Sequence, residues 1–428
     1  MIEEFSFGNF GSFKEIQTLN MTAAKIKSKE KSLDINNLFQ VDDNLSLLKS
    51  KAIYGANASG KSNVVRALSA FIKIINYSVK DERSLSFIDT FRLSTKTVSE
   101  PAFFQLIFRV GKTRYRYGFE ADVKSIKSEW LFSTPNKREQ PLFIREENEI
   151  IEMNQTHFKE GVLYQKLLKD SKDQIFTERS LFLTHLNSIG FAKQSQQIFK
   201  TITSILIVSG LTDKRMYDIA VESLSDEIQK EFILDFLKKA DVGINDLKTI
   251  EITNDVLPNN LEEEVKQKLR KEKLIISSKT QFDSNLQIAG ETDFSFVYQE
   301  SEGTKKMFEL SPFIYYSLKE GTPLIIDEFD ARFHPLLTKK IVELYNSIEN
   351  KTSQLVFITH DTNLLSHELL RRDQIDFVEK DKYGASHLYT LVEIKGVRNN
   401  ASYEKDYIQG KYGAIPFLGD FTNLISFE

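Results

Sequence analysis

The chain opens on two short runs in which apolar and polar residues alternate, Ile2-Glu3-Glu4-Phe5-Ser6-Phe7 and Phe13-Lys14-Glu15-Ile16. A period of two predicts a β-hairpin or paired strands. Residues 22–48 are polar and charged and read as a connecting loop. Lys51-Ala52-Ile53-Tyr54 is a short strand, and from Lys61 to Val79 the apolar positions Val64, Leu68, Phe71, Ile72 and Ile75 recur at helical spacing. Strand patterning returns over residues 101–150, with Phe103 to Phe108 and Tyr115 to Phe119 joined through Gly111-Lys112. Residues 156–272 read as mostly helical, with charged amphipathic runs such as Asn260 to Lys273. No heptad persists there for three or four repeats, which predicts a compact insertion rather than a long coiled coil. From Leu274 strands resume, and helices and strands then alternate to about residue 392. The pattern predicts an α/β fold, a mixed β-sheet flanked by helices. Its two halves, residues 1–155 and 273–428, would be separated by a mainly helical insertion at 156–272.

Composition narrows the class. Only 8 Pro and 18 Gly in 428 residues leave little room for flexible linker. The absence of Cys excludes a disulfide framework, a thiolate zinc site and a cysteine nucleophile. Met1 to Phe13 lacks the basic start and continuous apolar core of a signal peptide. No stretch of about 18 apolar residues is available to cross a bilayer. The expectation is a cytoplasmic protein without a membrane partner. A net charge of −4, from 57 basic and 61 acidic side chains, lends no support to nucleic acid as a partner, although a local basic patch stays open.

Candidate chemistry begins at Gly55-Ala56-Asn57-Ala58-Ser59-Gly60-Lys61-Ser62, which fits the P-loop pattern G-x-x-x-x-G-K-[ST] between a strand and a helix. Glycines let such a loop wrap a phosphate, with backbone N–H groups and a helix N-terminus aimed at it. Gly55, Asn57, Ser59, Gly60, Lys61, Ser62 and Asn63 are the expected ATP-binding set. Lys61 would reach the β- and γ-phosphates and Ser62 would ligate Mg²⁺. Far downstream, Pro323-Leu324-Ile325-Ile326 runs into Asp327-Glu328, an apolar strand ending in two carboxylates. Asp327 would serve the Mg²⁺ shell, and Glu328 would polarise a water for attack on the γ-phosphate. About 30 residues after Glu328, Leu355-Val356-Phe357-Ile358-Thr359 ends in His360. A strand-end histidine is by itself structural; its spacing from Asp327-Glu328 is what singles it out. Upstream, Glu300-Ser301-Glu302-Gly303-Thr304-Lys305 precedes an amphipathic helix, and Ser-Glu-Gly is also ordinary capping chemistry.

Taken together, these runs resemble the SMC/RecF-like ABC ATPase head. Within that group they resemble the RloA/AbiLi-type AAA-family ATP-binding proteins of bacterial anti-phage systems. The likeness spans nearly the whole chain. Phe5 to Phe13 resembles the family's F-x-x-x-N-F-x-S-F start, and the P-loop takes its form G-x-N-x-S-G-K-S. Glu300 to Lys305 meets the signature E-S-x-G-T-K, and Asp327 to Pro335 meets D-E-x-D-x-x-x-H-P. Gly410-Lys411-Tyr412-Gly413-Ala414-Ile415-Pro416 resembles a family-specific C-terminal run. Two departures stand out. The signature lacks the paired glycines of transporter ABC proteins, and His334 stands where many ABC proteins have Asp, as in OLD-type nucleases. Gln105, the candidate for the Mg²⁺-contacting glutamine, sits in an apolar strand and reads equally as a surface residue.

The resemblance implies a P-loop NTPase of ABC/SMC-head type, slow and regulatory, that binds ATP and Mg²⁺. Glu328 and His360 would be its catalytic residues, with His360 on the γ-phosphate. Ser301 and Gly303 would bind the γ-phosphate of ATP held by a second subunit, making ATP the glue of a homodimer or higher homo-oligomer. A separately encoded effector, RloB- or Toprim-like, would be its partner in abortive infection. The chain ends about 70 residues after His360, a length read as too short for the Toprim nuclease of OLD proteins. Two other functions fit the same motifs: a RecF/SMC-like ATPase of DNA repair or tethering, and an ATP-gated scaffold with negligible turnover.

Overall fold

The computed structural model describes residues 1–81, 83–170, 177–211, 213–251, 263–264, 273–398, 401–416 and 419. From the N-terminus, Ile2–Gly8 (β1) and Gln17–Asn20 (β2) pair as a hairpin. A one-turn helix, Leu33–Asn36 (α1), precedes a second hairpin, Leu38–Asp42 (β3) with Leu45–Leu48 (β4). Ser50–Tyr54 (β5) leads into the helix Lys61–Tyr77 (α2). Five strands follow: Ala102–Val110 (β6), Thr113–Ala121 (β7), Ile126–Thr134 (β8), Gln140–Glu146 (β9) and Glu149–Met153 (β10). Helices Lys159–Asp170 (α3), Phe182–Asn187 (α4) and Lys193–Thr203 (α5) bring the chain to Leu206–Ser209 (β11). Next come Lys214–Ser223 (α6), Glu227–Lys239 (α7), Asp246–Glu251 (β12), Lys273–Phe282 (β13) and Ile288–Ser295 (β14). After Phe296–Gln299 (α8) and Glu302–Glu320 (α9) the chain alternates Leu324–Asp327 (β15), Pro335–Tyr345 (α10) and Leu355–Ile358 (β16). Ile375–Lys380 (β17), Ser386–Thr390 (β18) and Tyr403–Ile408 (α11) complete the described elements.

Two sheets enclose one helix. The first is antiparallel and seven-stranded, in the order β10-β9-β8-β7-β6-β1-β2. The second has six strands, β11-β15-β16-β5-β17-β18, parallel except where β18 closes antiparallel on β17. Helix α2 lies between them. Its Val64, Leu68, Phe71 and Ile75 share a core with Phe5, Phe104 and Phe119 of the antiparallel sheet and with Ile53, Ile325, Val356 and Ile358 of the parallel one. The alternate residues Tyr54, Leu324, Ile326 and Phe357 enter a second core under α9 and α10. The parallel strands are therefore buried on both faces, which is why they read as unbroken apolar runs. A third cluster joins α6, α7 and the small sheet β12-β13-β14 to Met307 and Phe308 of α9.

The polar stretch 22–48, expected as a connecting loop, instead contains α1 and the hairpin β3–β4 with Phe39, Leu47 and Leu48 buried. The Asp42-Asp43-Asn44 turn hides the alternation from a composition-based reading. The opening hairpin is also shifted: Phe10 to Phe13 forms its turn, and the second strand starts at Gln17. Within residues 156–272, β11 pairs in parallel with β15, and Phe182, Leu183 and Ile198 enter the core around α2. Most of the charged run Asn260 to Lys273 lies outside the described residues.

Buried side chains fasten the two sheets together. Gln354, just ahead of β16, accepts from Ile2 N at 2.6 Å and donates to Ile2 O at 3.0 Å and Leu48 O at 3.2 Å. Lys51 pairs with Asp376 at 3.0 Å and donates to the carbonyl of Asn20 at the end of β2. Gln354→Leu keeps the volume but strands an N–H and two carbonyls in a dry site. We expect it to cost about 2–3 kcal/mol in denaturant unfolding. A loss within about 0.5 kcal/mol, the scale of surface substitutions, would show that the sheets hold together without it.

Candidate functional site

In open sheets of parallel strands, ligands sit outside the carboxyl ends of the strands. Here β15, β16 and β5 lie side by side and parallel, so Asp327, His360 and Gly55 emerge at one edge. The loop after β5 carries Gly55 at φ +154°, Ala58 at +61° and Gly60 at +111°. A methyl group on Gly55 would stand 2.4 Å from the carbonyl oxygen of Val378 in β17. One on Gly60 would stand 2.3 Å and 2.5 Å from the hydroxyls of Ser12 and Ser386. Both glycines are thus required by their conformation and by what lies behind them.

That rear support comes from distant segments. Ser386 Oγ lies 2.5 Å from Ser59 O and 2.7 Å from Ser12 Oγ. Asn63 donates to Ser12 Oγ at 2.9 Å and accepts from Arg66, so its amide is engaged beside the loop. Asn57 and Ser62 are exposed, whereas Ser59 Oγ is buried with no hydrogen-bond partner. The C-terminal run packs here too. The Tyr407 ring packs on Tyr54, the residue before Gly55, and its hydroxyl donates to Ala414 O at 3.1 Å, while Tyr389 donates to Tyr412 O at 2.7 Å.

The Lys61 ammonium folds back onto the carbonyls of Gly55 and Ala56, both at 2.9 Å. Burial lowers its pKa, and Asp327, Asp330 and Glu328 oppose that shift through their charge. Asp327 Oδ1 is buried and has no hydrogen-bond partner. Glu328 is exposed and holds a left-handed backbone, φ +54°, which is uncommon for a residue other than glycine. Asp330 Oδ1 accepts from Thr359 Oγ1 at 2.7 Å and from His360 N at 3.0 Å, fixing the histidine against the carboxylate loop. Burial first, and the charge of Lys61 second, hold the His360 imidazole below its ordinary pKa, so it is mainly neutral at pH 7.

Ser301 and Gly303 belong to a different cleft. Ser301 caps α9, its Oγ accepting from Thr304 N at 3.1 Å, and a methyl on Gly303 would stand 3.0 Å from Arg332 O. Arg332 forms an ion pair with Glu302, and His334 caps α10 by accepting from Leu336 N. Ser301, Gly303, Thr304, Arg332, Phe333 and His334 line a cleft of about 540 Å³. Lys61, Asp327, Glu328 and His360 are thus brought together, while Ser301 and Gly303 face a second opening. Gln105 joins neither group. It points away from the α2 core and bonds Trp130 at 3.1 Å and Arg116 at 3.2 Å.

Reading the motifs alone left Asp330, Ser386 and Tyr407 without a role. Asp330 stood inside the D-E-x-D match and was the one with a visible signal; Ser386 and Tyr407 are placed by folding alone.

Comparison with known proteins gives a family. The model described as "AAA domain, putative AbiEii toxin, Type IV TA system" matches residues 52–366. No curated protein matches. Among solved structures, the chain is similar to an SMC head domain from Thermotoga maritima, at 12% identity and TM-score 0.39, over 91% of this chain and 98% of that one. It is similar also to an Smc head bound to the C-winged helix domain of ScpA, at 15% identity and TM-score 0.43, over 91% and 97%. A third is the Smc head with an extended coiled coil bound to the C-terminal domain of ScpA, from Pyrococcus furiosus, at 13% and 0.42, over 96% and 98%. The family match runs from the strand that feeds the glycine loop to the turn beyond His360, well over half the chain, and the protein therefore belongs to this AAA family, with the α/β fold of a P-loop NTPase.

Proposed function

We propose that this chain binds and hydrolyses ATP as a head-to-head homodimer, or a higher homo-oligomer built from such pairs, and that this cycle controls a separate effector in anti-phage defence. The observation that carries the reading is the buried, unpartnered Asp327 Oδ1, an acceptor kept free near an ammonium that is itself parked on the carbonyls of a glycine loop. Among the described residues, no group of three or more His, Asp or Glu side chains would hold a metal ion by itself. Mg²⁺ in nucleotide sites takes one or two protein ligands and completes its shell with phosphate oxygens and water. Ser62 and Asp327 fit that donor set, and the ion would supply charge neutralisation on the phosphates.

The chain's own residues do the remainder. Backbone N–H groups of residues 55–62 would cradle the phosphates, and Lys61 would exchange its two carbonyls for phosphate oxygens. Glu328 would take the proton of the attacking water. His360, neutral and fixed by Asp330, would donate a hydrogen bond to the γ-phosphate. Ser301 and Gly303 lie in the separate cleft at the N-terminus of α9, a favourable place for the phosphate of a partner's ATP. The family's description names a putative AbiEii toxin of a type IV TA system, which favours the defence role over DNA repair.

Three outcomes are expected. In light scattering with ATP, Glu328→Gln doubles the 49.4 kDa mass of one chain or raises it further, while wild type loses that mass on turnover. Its hydrolysis falls about 100-fold or more, as for removal of a general base; unchanged mass and rate would remove both the composite site and the role of Glu328. Asp330→Ala leaves the His360 N–H and the Thr359 hydroxyl without their acceptor, costing about 1–2 kcal/mol of stability. Hydrolysis should drop with it, and an unaltered kcat would detach His360 from catalysis. A Lys61→Ala strain should lose phage protection; full protection would end the ATP-dependent defence role.

A further inference from the structure

Glu328 holds its left-handed backbone where β11 crosses beside it. Ser209 is in register with Asp327, and the next residue, Gly210, donates its N–H to Asp327 O at 2.5 Å. A methyl group on Gly210 would stand 1.6 Å from the carbonyl oxygen of Glu328 and 3.0 Å from that of Asp327. The Glu328 peptide therefore rests directly on the bare α-carbon of Gly210. This glycine does not have a left-handed φ; contact alone excludes any side chain.

Residues 209–211 are held in turn by Lys306. Its ammonium donates to Ser209 O and to Leu211 O, both at 2.6 Å, so it brackets Gly210 on either side. The Lys306 side chain is fully buried and lies 3.7 Å from Glu309 one turn along α9. A buried lysine held by two backbone carbonyls and one buried carboxylate is a costly way to fill a core, since apolar side chains would pack there without the desolvation cost. Lys306 also stands on the first turns of the helix capped by Ser301, the residue assigned above to the partner's nucleotide.

We propose that Lys306 and Gly210 are positioning residues that link the two half-sites of one chain. The α9 N-terminus, by engaging the partner's ATP, sets through Lys306 the loop 209–211 on which the Glu328 peptide rests. Glu328 would then be aligned for water activation only when the opposite site is filled, so that hydrolysis waits for assembly. This link rests on the composite-site reading proposed above and adds a route by which one site regulates the other.

The test uses the full chain with Lys306→Met, which keeps length and removes charge, and Gly210→Ala, which adds one methyl group, each beside Glu328→Gln. ATP affinity, assembly mass, kcat, KM and melting temperature are measured on all. Both variants should bind ATP and assemble, with kcat reduced about tenfold or more and KM little changed, the signature of an interaction made only in the transition state. Gly210→Ala should add no further loss in the Glu328→Gln background, because both act through one group. If Glu328→Gln traps the assembly while Gly210→Ala turns over as wild type, or if losses in the double variant add, this link is overturned and the composite site survives. If Glu328→Gln itself changes nothing, both fall. Should Lys306→Met fail to fold, the cycle between Gly210 and Glu328 decides the matter.

Discussion

A loop can wrap closely around a phosphate only if no side chain of its own glycine positions holds off what packs behind it. Around residues 55–60 that condition is met from three directions. The Val378 carbonyl closes on Gly55, Ser12 and Ser386 close on Gly60, and the Tyr407 ring packs on Tyr54 just ahead of the loop. The contacts come from three stretches of chain: the N-terminal turn, the β17–β18 pair and the C-terminal run. The N-terminal turn, the β17–β18 pair and the C-terminal run therefore meet at one short piece of backbone, which leads directly into α2.

The site's electrostatics follow from the same packing. Lys61 is the cation coupled to Asp327, Glu328 and Asp330, with His360 held mainly neutral. Negative charge in excess at a strand end would be unfavourable without a partner. Lys61 relieves part of it, and two carbonyls hold the ammonium in place until an anion competes for it. Asp327 keeps one acceptor without a hydrogen-bond partner, and the Lys61 ammonium is satisfied by backbone carbonyls.

Much of this was legible in the sequence because the signals are local. The glycine loop, the Asp327-Glu328 strand end and the Thr359-His360 strand end are each written in a few consecutive residues, and double-faced burial makes their strands unbroken apolar runs. What could not be read depends on pairing across long separations. Ser386 reaches the glycine loop only once β18 has paired with β17. Gly210 matters because β11 lies beside β15, and nothing near residue 210 announces it. Lys306 reads as a surface lysine of an amphipathic helix until the helix is docked. The hairpin β3–β4 was missed for the opposite reason: its charged turn diluted a short alternation whose buried members are few.

The fastening of Ile2 to Gln354 has a further consequence, for how the protein is made. These residues are 352 positions apart, and Ile2 opens the strand next to which β6 lies. At the usual pace of synthesis, about 5–20 residues per second, the first strand must wait roughly 20 to 70 s before the residue that pins it exists. During that interval the Phe-rich antiparallel sheet can form and fold over α2, but its outer contact with the parallel sheet is missing. A half-built domain with one greasy face is a natural client for a chaperone, and its final closure waits until Gln354 has been made.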